Sequence, residues 1–440
     1  MMSVRDTQVP PVRRNPSVRT VALLALLAVL VFVTLSLPGP AMAQRAPQPD
    51  PEQGDGRVSA FYDWVKAIPA KPGKLLRSEP LPETVGLSNA ARQSRILYTS
   101  TSGFDSKTPI VVSGALFVPK GTPPKGGWPV IAWAHGTVGL ADICAPSWAG
   151  RSYRDTVYLN RWLAEGYAVV ATDYQGLGVA GPHPLINIPA ISYGVLDSIR
   201  AVVNGGLGIA NNAVIVGQSQ GGAAAFGAAS YAPTYAPDIA LKGAVGTGVI
   251  YNRSPELPTL PPPPVKPNPN VFDEAIVYSL FGFVVAQQFD PTLQFADVFT
   301  EKGAVLAKQA RTACLFGVEA DAAFGQFTRA ETFLAKPGER YARFLETADE
   351  RAARYGRYPT LKLPVPIFIG TGASDLTPSA LNQLTLMKDA CAAGSVVEGH
   401  VYAGLGHSAT VNASLRDSIP FVKKAFAGEQ ITPVCEPHLQ

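Results

Sequence analysis

Gly217-Gln218-Ser219-Gln220-Gly221 follows Ala213-Val214-Ile215-Val216 and precedes Gly222-Ala223-Ala224-Ala225-Phe226-Gly227-Ala228-Ala229. The first run is short, apolar and β-branched, the signature of a buried strand. The run behind it consists of small residues that suit a helix packed close to a sheet. Between them Ser219 stands in a turn so tight that its neighbours have room for almost no side chain, which is why glycines flank it. Such a turn holds the serine hydroxyl above the sheet, as a nucleophile elbow does. The alternative is a serine in a purely structural turn. With 41 glycines in the chain a bare Gly-x-Ser-x-Gly carries little weight, so the strand before and the helix after it carry the reading.

Outward from this point the chain alternates. Strand-like runs stand at 94–101, 110–118, 130–134, 168–172 and 241–246, with helical stretches at 158–165 and 191–203, the latter spaced by Val195, Ile199 and Val202. Strands alternating with helices predict a mostly parallel sheet covered on both faces, and the early strands, lacking helices between them, suit an antiparallel edge. The alternation stops at a proline-dense connector, 258–269, with Pro261 to Pro264 consecutive. Behind it, 271–289 is a helical stretch apolar on nearly every face, which reads equally as a lid over a substrate or as a buried helix. A charged helical section at 331–354, interrupted at Pro337-Gly338, follows. The pattern resumes with a strand at 363–371, a helix at 378–390, a strand at 396–402 and a helix at 411–427. This divides the chain into 1–43 (export signal), 44–90 (lead-in), 91–252 (first part of the core), 253–357 (inserted helical cap) and 358–440 (second part of the core).

The export signal rests on Arg5, Arg13, Arg14 and Arg19, an apolar run at 21–33, the break at Pro38-Gly39-Pro40, and Ala41-Met42-Ala43 before Gln44. The run is short for a membrane span, so no stable span is expected after cleavage. Beyond residue 43 the chain holds 33 basic and 32 acidic residues, a net charge of +1, which offers nothing to nucleic acid. Secretion or periplasmic residence is the expected location. Cys144, Cys314, Cys391 and Cys435 are an even set in an exported chain and favour two disulfides, with three connectivities open. Their spacing matches no zinc pattern, and neither metal nor cofactor is expected.

A serine hydroxyl needs a base, and the base needs a carboxylate to orient it. In α/β-hydrolases these follow the nucleophile in the order acid, then histidine. His135 and His183 precede Ser219, His438 sits in the tail, and His400 lies within a strand. His407, in Gly404-Leu405-Gly406-His407-Ser408 between the last strand and last helix, is the expected base. Asp375 ends Gly372-Ala373-Ser374-Asp375 after the preceding strand and is the expected acid; the alternative is an aspartate that only stabilises its turn. Thr377 is expected to cap a helix starting at Pro378. An oxyanion hole needs backbone N–H groups, expected from Gln220 and from Gly136 or Thr137, with His135 bracing that loop.

These stretches resemble the secretory lipase family, which includes the yeast lipase A type and many bacterial exported relatives. The resemblance runs through Arg77-Ser78-Glu79-Pro80-Leu81, His135-Gly136-Thr137, Cys144-Ala145-Pro146-Ser147, Thr172-Asp173-Tyr174-Gln175-Gly176, 217–222, 372–375 and 404–407. It implies an α/β-hydrolase fold with a helical cap, a Ser219–Asp375–His407 triad, and hydrolysis of acylglycerols or other carboxyl esters without a cofactor. It also implies the disulfides Cys144–Cys314, tethering cap to core, and Cys391–Cys435, pinning the tail. One departure stands out: the family often has a smaller or an aromatic residue before the serine, and here Gln218 and Gln220 bracket it.

The expected activity is therefore that of an exported carboxyl-ester hydrolase or lipase, acting on an acyl-ester or lipid substrate with transient contact to a lipid interface. A serine peptidase or amidase, or an acyltransferase, uses the same triad. A non-catalytic binding protein on this scaffold has no reason to keep all three residues.

Overall fold

The computed structural model describes residues 57–253, 268, 270–273, 275–335 and 338–439. The export signal, its cleavage point and most of the proline connector lie outside these.

Nine strands form one sheet: β1 (Leu75–Pro80), β2 (Ala90–Thr101), β3 (Pro109–Pro119), β4 (Trp128–Ala134), β5 (Ala168–Tyr174), β6 (Ile209–Gln218), β7 (Leu241–Thr247), β8 (Ile367–Gly372) and β9 (Val397–Tyr402). Their spatial order is β1-β2-β3-β5-β4-β6-β7-β8-β9. The first three strands are antiparallel and β3 meets β5 antiparallel; every pairing from β5 to β9 is parallel. This is the mostly parallel sheet of an α/β-hydrolase.

The central strands read as continuous apolar runs because both faces are covered. Side chains alternate across the sheet, so Ile131, Trp133, Val214 and Val216 enter one core while Val130, Ala132, Ala134 and Ile215 enter the other. Helices α1 (Tyr153–Ala164) and, near the C-terminus, Leu415–Ala427 cover the first face through Tyr158, Trp162, Phe421 and Val422. Helices α2 (Ile188–Asn204) and α3 (Gln220–Tyr235) cover the second through Ile191, Val195, Ile199 and the alanines of α3. The small residues of α3 are required where it crosses α2: a Cβ on Gly227 would stand 2.5 Å from Ser192 Oγ.

Between β7 and β8 lies the cap, with α4 (Ala275–Phe289), α5 (Glu301–Gln309), α6 (Leu315–Phe324) and α7 (Glu339–Tyr355). It has its own core of Val277, Leu280, Phe281, Phe283, Phe299, Leu306 and Val318, joined by Leu140 and Leu185 from the sheet domain. The body of α4 is thus a buried cap helix, which is why it is apolar nearly all round.

Some elements differ from the sequence reading. β1 begins at Leu75, inside the stretch read as a lead-in; its Leu-Leu-Arg-Ser-Glu-Pro sequence lacks a clean alternation. Helix α8 (Ala380–Ala392) starts at Ala380 with Ser379 as its cap, not at Pro378 with Thr377. Ser379 Oγ accepts from Asn382 N–H at 3.3 Å, and Thr377–Pro378 is a cis peptide bond. The last helical stretch divides into α9 (Ala409–Ala413) and α10 (Leu415–Ala427), with Ser414 Oγ donating back to Val411 O at 2.7 Å.

The cysteines join as Cys144–Cys314 and Cys391–Cys435, the pairs the resemblance implies. The first ties the start of α6 to the loop after β4, where Leu315 N–H also donates to Val138 O at 2.8 Å. The second ties α8 to the tail, which lies beside β9 through Gly399 N–H to Val434 O (3.0 Å) and Val434 N–H to Val397 O (2.7 Å). The tail thereby covers part of an exposed sheet edge, which otherwise invites pairing with other chains.

Candidate active site

Ser219 sits between β6 and α3 with φ 59° and ψ −119°, a conformation that a non-glycine residue holds only when its surroundings impose it. The imposing contacts are backbone on backbone. A Cβ on Gly217 would stand 1.9 Å from Gly221 O, and one on Gly221 would stand 1.8 Å from Ala134 O. Ser219 N–H donates to Thr247 O on β7 at 2.9 Å. No side chain fits at Gly217 or Gly221, and the serine is left at the carboxyl end of the sheet.

The loops after β8 and β9 bring Asp375 and His407 together. His407 Nδ1 donates to Asp375 Oδ2 at 2.9 Å. Asp375 is buried, and its carboxylate also accepts from Gln383 Nε2 (2.9 Å) and Thr377 N–H (3.0 Å). The carboxylate therefore stabilises its turn and orients the imidazole at once. Gly248, just after β7 at φ 58°, meets the Cε1–Nδ1 edge of the ring: a Cβ there would stand 2.5 Å from His407 Cε1 and 2.8 Å from Nδ1.

Ser219, Asp375 and His407 front one cavity of about 1970 Å³, together with Thr137, Arg154 and Gln218. Its walls include Tyr278, Phe333, Leu381 and Ile250, and the first residues before α4 (Val271 and Phe272). The imidazole's outer nitrogen, Nε2, faces Gln218 Nε2 at 2.9 Å. Gln218 Oε1 in turn accepts from Arg154 Nη2 at 3.0 Å.

Gln220 opens α3, so its backbone N–H has no partner within the helix. Its side chain points the other way, to His183 Nε2 (3.1 Å) and Leu185 O (3.2 Å). Gly136 and Thr137 follow β4, with Thr137 on the cavity wall. His135 braces this loop: Nδ1 reaches Gly136 O at 2.6 Å, and the ring packs on Tyr174 at 4.4 Å. Burial pushes His135 below its ordinary value. Burial also takes His183 down to about 4, with the neighbouring His135 adding to the effect. Both rings are thus neutral supports beneath the elbow. His400 lies in β9, stacked on Phe368 at 4.8 Å with Nε2 3.3 Å from Glu398 Oε1, and is absent from the cavity lining.

Arg154, Gln383 and Gly248 were not singled out by sequence reasoning. A glycine just past the carboxyl end of a parallel strand was a usable signal for Gly248. Arg154 and Gln383 are polar helix residues whose partners are distant in sequence, and no local signal marks them.

The sheet order and the elbow define the class: an α/β-hydrolase. Residues 151–256 match the secretory lipase family, and the resemblance read from the sequence is upheld in that segment. A secreted triacylglycerol lipase of Malassezia globosa is 26% identical over 301 residues, covering 64% of this chain and 58% of that protein. A probable inactive lipase of Mycobacterium tuberculosis is 30% identical over 191 residues, covering 40% of this chain and 41% of its own. The chain thus spans less than two thirds of either curated relative. Among solved structures, Candida antarctica lipase A in its closed state superposes with a TM-score of 0.65 at 19% identity, covering 90% of this chain and 91% of the other. A rice cell wall degrading esterase of Xanthomonas oryzae gives 0.59 at 16% identity, covering 80% of this chain and 97% of its own.

Proposed function

We propose that this protein is an exported serine carboxyl-ester hydrolase that cleaves acylglycerols or related acyl esters. The observation that carries the reading is the Asp375–His407 hydrogen bond fronting the same cavity as Ser219 at its strained elbow. The likeness to lipases and an esterase supports the class of reaction. Two disulfides fit export, and no helix among the described residues is long and apolar enough to cross a membrane.

The reaction is two-step acyl transfer. His407 Nε2 takes the proton from Ser219 Oγ as that oxygen bonds to the ester carbonyl carbon. The carbonyl π pair moves onto oxygen, where the backbone N–H of Gln220 and that of Gly136 or Thr137 receive it. Collapse breaks the bond to the alcohol, which leaves with the proton from His407, while Asp375 stabilises the imidazolium. Water repeats the sequence on the acyl-enzyme, releasing the acid and restoring Ser219. Val271, Phe316 and Leu376 line the cavity while 55%, 61% and 85% exposed. An apolar rim of this kind favours a long acyl chain presented at a lipid surface.

The test is hydrolysis of p-nitrophenyl esters from short to long acyl chains, with matched anilides alongside, by the wild type and Ser219→Ala. Ester cleavage that vanishes in the variant is expected. Faster anilide than ester cleavage would assign an amidase, and a folded protein inert to the whole series would overturn the reading.

A further inference from the structure

The hydrogen bonding around His407 raises a question that the proposed mechanism leaves open. Asp375, an acceptor when ionised, fixes the Nδ1 proton, so the neutral ring offers a single in-plane lone pair at Nε2. Ser219 must donate to that lone pair to be activated. Among the described residues it is Gln218 Nε2, at 2.9 Å, that meets it. The orientation of the amide is not arbitrary. Arg154 has only donors, and its Nη2 lies 3.0 Å from Gln218 Oε1, so the oxygen faces Arg154 and the NH2 faces the ring. Arg154 is itself held by Asp155 Oδ1 at 2.8 Å.

The carboxamide also reaches the other end of the site. A Cβ on Gly136 would stand 2.4 Å from Gln218 Oε1, so the amide oxygen rests against the loop expected to supply an oxyanion donor. A planar group with its carbonyl oxygen at that loop and its second heteroatom on the base has the layout of a bound ester. An ester would direct its carbonyl oxygen toward the same loop and its leaving oxygen to the same imidazole; in the resting site the amide oxygen there is held by Arg154 Nη2.

We infer that the Gln218 carboxamide is a resident stand-in for the substrate's ester group, filling its seat in the resting site and yielding when an ester binds. The inference rests on the ester-hydrolase reading and assigns Gln218 an occupying role that no triad logic predicts. Gln218 is almost wholly buried, and its hydrogen bonds to Arg154 and His407 must break for Ser219 to reach Nε2. The cost of displacement is borne on binding, so it enters KM.

The experiment compares the wild type with Gln218→Met, which keeps the chain length and loses the amide. The first readout is the second-order rate at which a small p-nitrophenyl phosphonate modifies Ser219, followed by nitrophenol release and by intact mass. The loss of one net hydrogen bond predicts modification about tenfold faster in the variant. The second readout is ester hydrolysis, where the gain is expected as a lower KM. Slower or equal modification, or a fall in kcat without a fall in KM, overturns the inference and leaves Gln218 as a support that His407 needs. If Gln218→Met does not fold, Arg154→Met loosens the same amide and is expected to shift both readouts in the same direction by less; no shift in it also overturns the inference. Ser219 labelled in the wild type keeps the hydrolase reading whichever way the variants fall. A folded wild type that the phosphonate does not label, like Ser219→Ala, removes that reading and this inference with it.

Discussion

The proposed nucleophile, Ser219, and the proposed base, His407, are held in place by different kinds of contact. Ser219 is fixed by backbone, through glycines with no room for a Cβ and a main-chain bond to β7, while two buried neutral histidines brace the loops around it. His407 is fixed chiefly by side chains, with Asp375 on one nitrogen and Gln218 on the other, and Gly248 leaves room at the ring's Cε1–Nδ1 edge. Backbone contacts define one position and tolerate no added atom, so errors on that side appear as lost stability. Side-chain contacts rearrange, so errors on the other side appear as lost rate in a protein that still folds.

Four substitutions test this division, from the largest expected effect to the smallest. Asp375→Asn leaves the shape of the base side intact and disrupts the tautomer, so kcat falls on the order of 10⁴-fold with the melting temperature little changed. A parallel loss of fold would show that the base side, too, is scaffold. Gly221→Ala places a Cβ 1.8 Å from Ala134 O, where neither atom can turn aside. It is expected to cost about 3 kcal/mol in denaturant unfolding. Full stability in that variant would break the comparison.

Gly248→Ala crowds the imidazole at its Cε1–Nδ1 edge, at a positive φ that disfavours a side chain. The ring, not the sheet, gives way, and kcat/KM is expected to drop about 10²-fold through misplacement of the base. The last test is titration beneath the elbow. Burial, chiefly, holds His183 at about 4 in the folded state against 6.5 when exposed. Between those values the unfolded chain binds more protons, so the stabilising contribution is full above pH 6.5 and is lost as pH falls through 4. His183→Gln removes this dependence. The stability difference between wild type and variant is then expected to move by about 2 kcal/mol between about pH 7 and about pH 5. Asp197, raised to about 6 chiefly by burial, acts in the opposite sense in both proteins and cancels in the difference. A pH-independent difference would show that His183 is not a neutral support.

The same division explains what could be read from the sequence. The elbow was legible because backbone constraints leave glycines at fixed spacing between a β-branched run and an alanine-rich one. The order of Asp375 and His407 along strand ends was legible because parallel strands place their carboxyl-end loops side by side. Gln218, Arg154, Gln383 and Gly248 act through contacts set by tertiary packing, and their spacing carries no period. β1 escaped because none of its residues is fully buried, so no core-facing set had to alternate with a polar one. The helix cap moved from Thr377 to Ser379 because Asp375 itself takes the Thr377 N–H at 3.0 Å, so the turn is longer than a simple cap requires.

The two disulfides have a topological consequence. Each closes a covalent ring, and the rings do not overlap: residues 144–314 contain Ser219, and residues 391–435 contain His407. A protease that nicks one bond in either ring, the proline connector included, leaves nucleophile and base on a single covalently joined molecule. Only the stretch from 315 to 390, which carries Asp375, joins the two rings as a single thread. One cut there separates nucleophile from base, held together only by packing, so proteolytic inactivation of the oxidised protein concentrates on that span.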